Sequence, residues 1–227
     1  MNRCPDQVVE FLLETGIPEN RLTPCLERCA QFGDLLVAAN REVNLTRLTD
    51  DDDFWIKHVA DSLAVVGLLP NLLDASLRIC DIGCGAGLPA IPLALLNPEL
   101  EVTALDGTRK KIDFVQNVKK AMALENLQPL WGRAEEIGHK KEYREAFDLL
   151  TLRAVGAAPK ILPKCTHLLD PELGMMILYK TPNAIEKEYA ETQHVARQLN
   201  VTIDLSPPFE LPMDAGARQF LVVTPLD

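Results

Sequence analysis

The stretch Cys80-Asp81-Ile82-Gly83-Cys84-Gly85-Ala86-Gly87 follows the short apolar run Leu77–Ile82 and precedes a segment rich in alanine and leucine. This order predicts a strand that turns through a glycine loop into a helix. Glycines at alternate positions permit a tight turn and a close approach of backbone to ligand, because they lack a Cβ atom. The spacing is G-x-G-x-G, since Leu88 stands where a dinucleotide fingerprint needs its third glycine.

Strands and helices alternate on both sides of this loop, which indicates a doubly wound parallel sheet. The predicted helices are Ala86–Leu96, Arg109–Leu124, Ala157–Leu169 and Asn183–Leu199. The predicted strands are Leu77–Ile82, Glu101–Leu105, Leu127–Trp131, Phe147–Leu152, Met175–Tyr179, Val201–Leu205 and Gln219–Thr224. The last two strands have no helix between them, so they are expected to form an antiparallel hairpin at the sheet edge. Seven strands in this arrangement are typical of the α/β fold of Rossmann-like class I methyltransferases.

Acidic residues after the predicted strands suggest which ligand the loop holds. Asp81 lies two positions before the first glycine, and S-adenosylmethionine has an ammonium group that this carboxylate could reach directly or through water. Asp106 ends the next strand, where a carboxylate accepts ribose hydroxyls. Arg133-Ala134-Glu135 follow the third strand, where an adenine edge would lie. Together with Gly83, Gly85 and Gly87, these residues predict S-adenosylmethionine as the cofactor.

Residues 1–76 read as an N-terminal helical extension, and residues 77–227 as the methyltransferase domain. Leu22, Leu26, Cys29, Phe32, Leu36 and Ala39 recur at three- or four-residue steps, as on one face of an amphipathic helix. After a polar break at Asn44-Leu45-Thr46, the acidic run Asp50 to Asp53 opens a second helix, predicted over Asp53–Leu68. Carboxylates there complement the positive end of the helix dipole, and their spacing does not fit a calcium loop. Both tryptophans, Trp55 and Trp131, are expected in the core.

Composition and charge limit the classes of function that this protein can have. The chain is 47% apolar and 25% charged, and its net charge of −10 argues against an indiscriminate nucleic-acid coat protein. The charge is uneven, because residues 1–76 carry a net −7 (6 basic, 13 acidic) and residues 107–164 a net +5 (12 basic, 7 acidic). A local basic face of this kind can bind phosphates. The six cysteines lack metal-ligand spacing, and no signal peptide or membrane span is recognisable, so we expect reduced thiols, no metal and a cytoplasmic protein.

Five sequence blocks occur in the order in which one bacterial family has them. The blocks are Asn44-Leu45-Thr46, Lys57-His58 with Asp61-Ser62-Leu63, Asp81-Ile82-Gly83 through Gly87-Leu88-Pro89, Arg133-Ala134-Glu135-Glu136, and Phe147-Asp148 with Arg153-Ala154-Val155. By these blocks the chain, from about residue 25 to residue 181, resembles the bacterial glucose-inhibited division protein B family, the small-subunit ribosomal RNA methyltransferases G. The blocks around His58 and Arg153 are specific to that family.

The resemblance implies methyl transfer from S-adenosylmethionine to N7 of guanine 527 in 16S ribosomal RNA, within the small ribosomal subunit or its precursor. It implies that Leu88 and Arg153 join Gly83, Ala134 and Glu135 around the cofactor, with Asp106 at the ribose. It places four residues in the reaction cleft, Arg153, His58, Arg133 and Lys180. RNA contacts are expected from Lys57, His58, Lys110 and Lys111, and the protein is expected to act as a monomer.

The fourth-strand segment Thr151-Leu152-Arg153-Ala154 supports a ring nitrogen as the target. It lacks the Asn/Asp-Pro-Pro-aromatic run of many amino-group methylases, and no cysteine lies at that strand end to serve as a C5-methylase nucleophile. Guanine N7 has a free lone pair and needs neither device. Two alternatives stay open at this point. One is a small-molecule methyltransferase of the same fold, and the other is a non-catalytic RNA-binding assembly protein.

Overall fold

The computed structural model describes residue 1, residues 3–43, residue 45 and residues 51–226. The predicted polar break at Asn44 and Thr46, and the first aspartate of the acidic run, Asp50, lie outside the described residues. Two helices come first, α1 (Asp6–Glu14) and α2 (Glu19–Val43). The amphipathic pattern over Leu22 to Ala39 is therefore helical, as predicted.

The second predicted helix, Asp53–Leu68, is helical but not uniformly α-helical. It is made of α3 (Asp51–Asp53), a π-helix (Phe54–Ala60), α4 (Asp61–Leu63) and a 3₁₀ turn (Ala64–Gly67). Six of the seven π-helical residues are buried, including Trp55 and His58. The segment is thus packed on nearly every side, and the π-helix brings the family-specific block around His58 into the interior.

The central sheet follows the predicted alternation. Its strands are β1 (Arg78–Ile82), β2 (Glu101–Asp106), β3 (Leu127–Trp131), β4 (Leu149–Arg153), β5 (Met175–Lys180), β6 (Val201–Leu205), β7 (Phe209–Glu210) and β8 (Ala217–Pro225). The helices between them are α5 (Ala90–Leu96), α6 (Arg109–Met122), α7 (Ala134–Ile137), α8 (Ala158–Cys165) and α9 (Pro182–Gln198), with 3₁₀ turns at Pro70–Leu73 and Thr166–Leu168.

The strand order is β3-β2-β1-β4-β5-β8-β6, and strands β1 to β5 pair in parallel. β8 runs antiparallel between β5 and β6, which confirms the hairpin at the sheet edge. An eighth strand, β7, pairs with β8 where a loop was expected. It has two residues and follows Pro207-Pro208, so it is too short to leave a periodic pattern. α5 begins at Ala90 rather than Ala86, because the glycine loop continues through Pro89.

Helices cover both faces of the sheet. One face packs with the N-terminal helices, since Val8, Phe32 and Trp55 share a buried cluster with Ile79 and Leu93. The other face packs against α8 and α9 through a second cluster. A domain boundary at residue 76 stays a prediction, because this core is continuous across it. All six cysteines are free thiols, and each is buried. None of the helices in the described residues is long and apolar enough to cross a bilayer.

Candidate active site

The glycine loop leaves β1 with three glycines in the left-handed region, Gly83 (φ 72°), Gly85 (φ 59°) and Gly87 (φ 88°). A Cβ on Gly83 would lie 2.3 Å from Val155 Cγ1, and one on Gly87 would lie 2.4 Å from Ile91 Cδ1. At Gly85 the nearest atom to such a Cβ is 3.9 Å away. The outer two glycines therefore permit close packing of the loop, whereas the middle one faces open space at the carboxyl end of the sheet, where ligands of such sheets bind.

Asp106 closes this space from the end of β2. Its Oδ2 accepts a hydrogen bond from the Gly85 amide at 3.0 Å, and its Oδ1 accepts one from the Thr108 amide at 2.7 Å. Lys111 Nζ lies 3.5 Å from Oδ2. An ionised carboxylate has about four lone-pair sites, so three donors leave room for one ribose hydroxyl. Both hydroxyls could bind if Lys111 moved away. The loop and this carboxylate therefore fit S-adenosylmethionine, and Asp106 also holds the loop in shape.

Asp81 lies beneath the loop and has no exposed surface. Its Oδ2 accepts a hydrogen bond from the Ala90 amide at the start of α5, and its Oδ1 accepts one from Thr151 Oγ1. Burial raises the pKa of this carboxyl from 3.8 to about 7, although both hydrogen bonds oppose that rise. In this conformation Asp81 ties β1 to α5 and β4. Contact with the ammonium group of the cofactor stays a prediction. The sequence alone does not reveal Thr151, 70 residues away, as the partner of Asp81.

Arg153, at the end of β4, connects the sheet to the N-terminal segment. Its Nη1 donates to the Lys57 carbonyl at 2.7 Å and to Asp61 Oδ2 at 3.1 Å. The other oxygen of Asp61, Oδ1, accepts from Arg218 Nε at 3.1 Å. The Arg153 side chain is only 15% exposed and that of Asp61 only 7%. Asp61 and Arg218 were not recognised as site residues from the sequence, because Arg218 is 157 residues away and no motif connects the two.

His58 lies in the same region but inside the protein. It is 5% exposed and meets the Phe54 ring edge-on, with 6.2 Å between ring centroids. Burial, together with the positive charge of Arg153, lowers the pKa of His58 from 6.5 to about 4. The imidazole is therefore neutral at physiological pH. Direct contact between His58 and RNA stays a prediction, and this conformation leaves the ring little surface for it.

Lys57, a predicted RNA contact, and Lys180, a predicted cleft residue, both form polar contacts within the chain. Lys57 forms an ion pair with Asp53, one turn earlier in the helical segment. Lys180 ends β5, donates to the Gly156 carbonyl at 2.7 Å and pairs with Glu188 Oε1 at 2.8 Å. Because its side chain is only 11% exposed, Lys180 supports the loop that follows β4 in this conformation.

The predicted adenine-side residues surround the start of α7. Arg133 is exposed at the N-terminal cap, and Ala134 is buried behind it. Glu135 Oε1 lies 3.7 Å from Lys164 Nζ of α8, so its carboxylate forms an ion pair with that helix. Leu88 is buried within the glycine loop. The structure thus brings together Leu88, the glycines and Asp106, and it leaves Glu135 directed towards α8.

The cationic start of α6 has two different lysines. Lys110 is exposed and forms no ion pair within the part of the chain that the structure describes. Lys111, in contrast, is the residue that contacts Asp106. The expectation that both tryptophans lie in the core is confirmed for Trp55, which is 1% exposed, and wrong for Trp131, which is 52% exposed. β3 is the edge strand and Trp131 is its last residue, so no neighbouring strand covers the indole on the outer side.

Solved structures that share this fold include a SAM dependent methyltransferase and a protein in complex with AdoMet. The chain is similar to one such enzyme from Aquifex aeolicus, with a TM-score of 0.57 and 13% identity over 79% of this chain and 96% of that one. It is also similar to M. jannaschii TYW2 in complex with AdoMet, with a TM-score of 0.51 and 16% identity over 68% and 71% of the two chains. These likenesses show the fold of this chain, that of the Rossmann-like class I methyltransferases.

Relatives by sequence narrow this class. Ribosomal RNA small subunit methyltransferase G of Trichormus variabilis is 36% identical over 86% of this chain and 80% of its own. The protein of the same name from Deinococcus deserti is 36% identical over 95% of this chain and 87% of its own. The family model of rRNA small subunit methyltransferase G matches residues 26–206. The chain belongs to that family, which methylates ribosomal RNA with S-adenosylmethionine as the methyl donor.

Proposed function

We propose that this protein methylates N7 of guanine 527 in 16S ribosomal RNA, in the small ribosomal subunit or its precursor. The observation that carries the proposal is the arrangement at the carboxyl edge of the sheet. There, the open side of Gly85 and the carboxylate of Asp106 adjoin the exposed cationic start of α6. A cofactor cradle and a phosphate-binding surface thus share one edge, and family membership supports ribosomal RNA as the substrate.

The proposed reaction does not need a residue that acts as a general base. When bound, S-adenosylmethionine supplies an electrophilic methyl group on a sulfonium. Guanine N7 carries a lone pair and no proton at neutral pH, so no residue has to remove a proton before the attack. The neutral His58, with its pKa of about 4, is a poor general base, which agrees with a reaction that needs none. Catalysis then consists of holding the target nitrogen in line with the methyl carbon, about 3–3.5 Å away.

The roles of the cleft residues follow from their contacts. Arg153, held by Asp61 and the Lys57 carbonyl, fixes the end of β4 beside the cofactor site. Lys180 holds the neighbouring loop through the Gly156 carbonyl. His58 supports this arrangement from the interior, and Arg133 faces the RNA at the rim. Phosphate contacts come from Lys110, with Lys57 and Lys111 adding positive charge when RNA approaches. The proposed state is a cytoplasmic monomer.

Two measurements test the proposal. Cleavage mapping of N7-methylguanine in 16S ribosomal RNA, from cells with and without the gene, shows whether the modification depends on this protein. Purified protein, S-adenosylmethionine carrying a labelled methyl group, and small subunits lacking the modification then show direct transfer. A modification that persists without the gene, or label found on a small molecule instead of on RNA, would contradict the proposal. Label on another atom of the RNA would overturn the N7 assignment alone.

Cofactor binding can be tested separately, with a matched control variant. Asp106→Asn should weaken S-adenosylmethionine binding by about 1–3 kcal/mol, because it removes a charged acceptor from the ribose site and from the Gly85 amide. Asp113→Asn is the matched control, since Asp113 is an exposed carboxylate on α6, the helix that follows Asp106, and it pairs only with Arg109 in the described structure. Calorimetric titration of both variants should show a loss for Asp106→Asn alone. Equal affinities would remove Asp106 from the cofactor site.

A further inference from the structure

Trp131 is a large aromatic side chain held in a fixed position on the surface. Its indole is half exposed, and its Nε1 donates a 3.1 Å hydrogen bond to the Gly107 carbonyl. In the sheet register Trp131 pairs with Asp106, so the ring lies beside the strand end that carries the cofactor carboxylate. Since the hydrogen bond and the strand both orient the ring, the indole is presented to solvent already ordered.

One cation contacts this ring, and further cations lie close to it in the chain. The Arg109 guanidinium lies 5.3 Å from the centroid of the indole, in a cation–π contact. Asp113 Oδ1 accepts a 3.0 Å hydrogen bond from Arg109 Nε and holds the guanidinium in place. Lys110 and Arg133 are both exposed, one residue from Arg109 and two residues from Trp131 in the chain. The ring is therefore contacted by one cation and belongs to the basic stretch, residues 107–164, of an otherwise acidic protein.

We propose that Trp131 and Arg109 form a stacking platform for an unpaired RNA base next to the target guanine. This inference rests on the proposed function and adds a substrate contact to it. Sequence-specific proteins bind single-stranded RNA by stacking unpaired bases on aromatic rings and guanidinium planes, and nearby cations hold the phosphates. Trp131, Arg109, Lys110 and Arg133 supply these parts at the edge where the methyl group is transferred. The platform would hold the flanking nucleotide, so that the target base can enter the cleft.

Tryptophan fluorescence tests the platform directly, because the chain has two tryptophans and Trp55 is buried. The probe is a synthetic 16S ribosomal RNA fragment that contains the target guanine in a single-stranded loop. Titration into the wild type should quench the exposed indole, and Trp131→Phe should lose that quenching while keeping RNA affinity within about twofold. Trp131→Ala should bind the fragment roughly tenfold more weakly or worse, the usual loss for one stacked base.

Two controls separate stacking from other effects. Leu173→Ala removes another exposed apolar side chain and should leave RNA affinity unchanged. Leu173 is 87% exposed and lies just before β5, at the amino end of the parallel strands. Calorimetry with S-adenosylmethionine should give the same affinity for Trp131→Ala and for the wild type. Retained binding by the well-folded Trp131→Phe variant shows that loss in Trp131→Ala is due to the missing ring.

Several results would overturn the platform. It fails if RNA does not quench the wild type, or if Trp131→Ala binds the fragment as tightly as the wild type. It also fails if Trp131→Ala loses only cofactor affinity, since the indole would then belong to the adenine side of the cofactor site. Failure of the proposed function looks different. In that case RNA still quenches Trp131, but no N7-methylguanine depends on the gene.

Discussion

Asp61 offers the most direct test of how the site is held together. Its two oxygens accept hydrogen bonds from Arg153 and Arg218, and none of the three side chains is more than 21% exposed. Asp61→Asn keeps the shape of the side chain but removes the charge and turns one acceptor into a donor. One guanidinium then faces an amide NH₂ group, and neither guanidinium has a carboxylate partner at Asp61.

The expected cost follows from this geometry. At 3.1 Å, each charge pair is worth about 5 kcal/mol with an effective dielectric constant of 20, before desolvation is subtracted. Removing one partner of a buried pair typically costs about 3–5 kcal/mol, because the remaining charge stays buried without compensation. Since both arginines retain some contact with water, we expect Asp61→Asn to lower the free energy of unfolding by about 2–4 kcal/mol. Exposed pairs contribute less than about 1 kcal/mol.

Urea denaturation of Asp61→Asn and Asp113→Asn measures this difference. Asp113 pairs with Arg109 at 3.0 Å on the surface, with side chains 56% and 65% exposed, so it provides the same charge change without burial. Asp61→Asn should also slow methyl transfer at saturating substrates, because Arg153 loses the group that orients it. If the two variants unfold at the same urea concentration, the Asp61 network contributes nothing special, and the argument for its role in holding Arg153 is refuted.

Three further results are expected. The raised pKa of Asp81, about 7, means that the folded protein keeps a proton which the unfolded chain releases above about pH 4, so stability should fall as pH rises from about 4 to 7. Asp81→Asn should remove this pH dependence from the free energy of unfolding. Urea denaturation that gives the same pH dependence for both proteins would contradict the prediction. Single-turnover methylation at saturating RNA and S-adenosylmethionine should show no titration of His58 between pH 6.5 and 8.5, because the pKa of His58 is about 4, so the wild type and His58→Gln should have pH profiles of the same shape. A tenfold rise per pH unit that His58→Gln abolishes would instead mark His58 as a base. Gly85→Ala should lower the free energy of unfolding by roughly 1–2 kcal/mol through backbone strain and should chiefly weaken cofactor binding in calorimetry. Gly83→Ala should destabilise the protein by more than that, because only its new methyl group meets Val155.

Much of the fold was predictable because its signals are local. β3 and β6 have the predicted bounds, Leu127–Trp131 and Val201–Leu205, since each is a short run with clear breaks on both sides. The glycine loop was recognisable because a strand, a turn and a helix must follow one another in sequence. The π-helix around His58 was not predicted, because apolar spacing indicates a helix without fixing the number of residues in each turn.

The site was predictable where its residues lie on elements that follow one another in the sequence. Asp106 and Gly85 lie on adjacent elements, and their proximity follows from parallel pairing of β1 and β2. The contact between Asp61 and Arg218 joins distant parts of the chain and depends on β8 entering the sheet beside β5. Trp131 was misassigned because its hydrophobicity suggests burial, whereas its place at the end of an edge strand leaves it exposed.

Four cations of the predicted site form two pairs, one at strand ends and one at helix starts. Arg153 and Lys180 end β4 and β5, and each is neutralised by a nearby carboxylate within the protein, Asp61 or Glu188. Lys110 and Arg133 lie at the starts of α6 and α7, are exposed, and form no ion pair in the described part of the chain. The side chains of Arg153 and Lys180 are only 15% and 11% exposed, where an unpaired charge is costly, whereas Lys110 and Arg133 are exposed to solvent. The first pair is therefore suited to shaping the cleft, and the second to meeting phosphates, which explains how a protein of net charge −10 can still present a local surface for RNA.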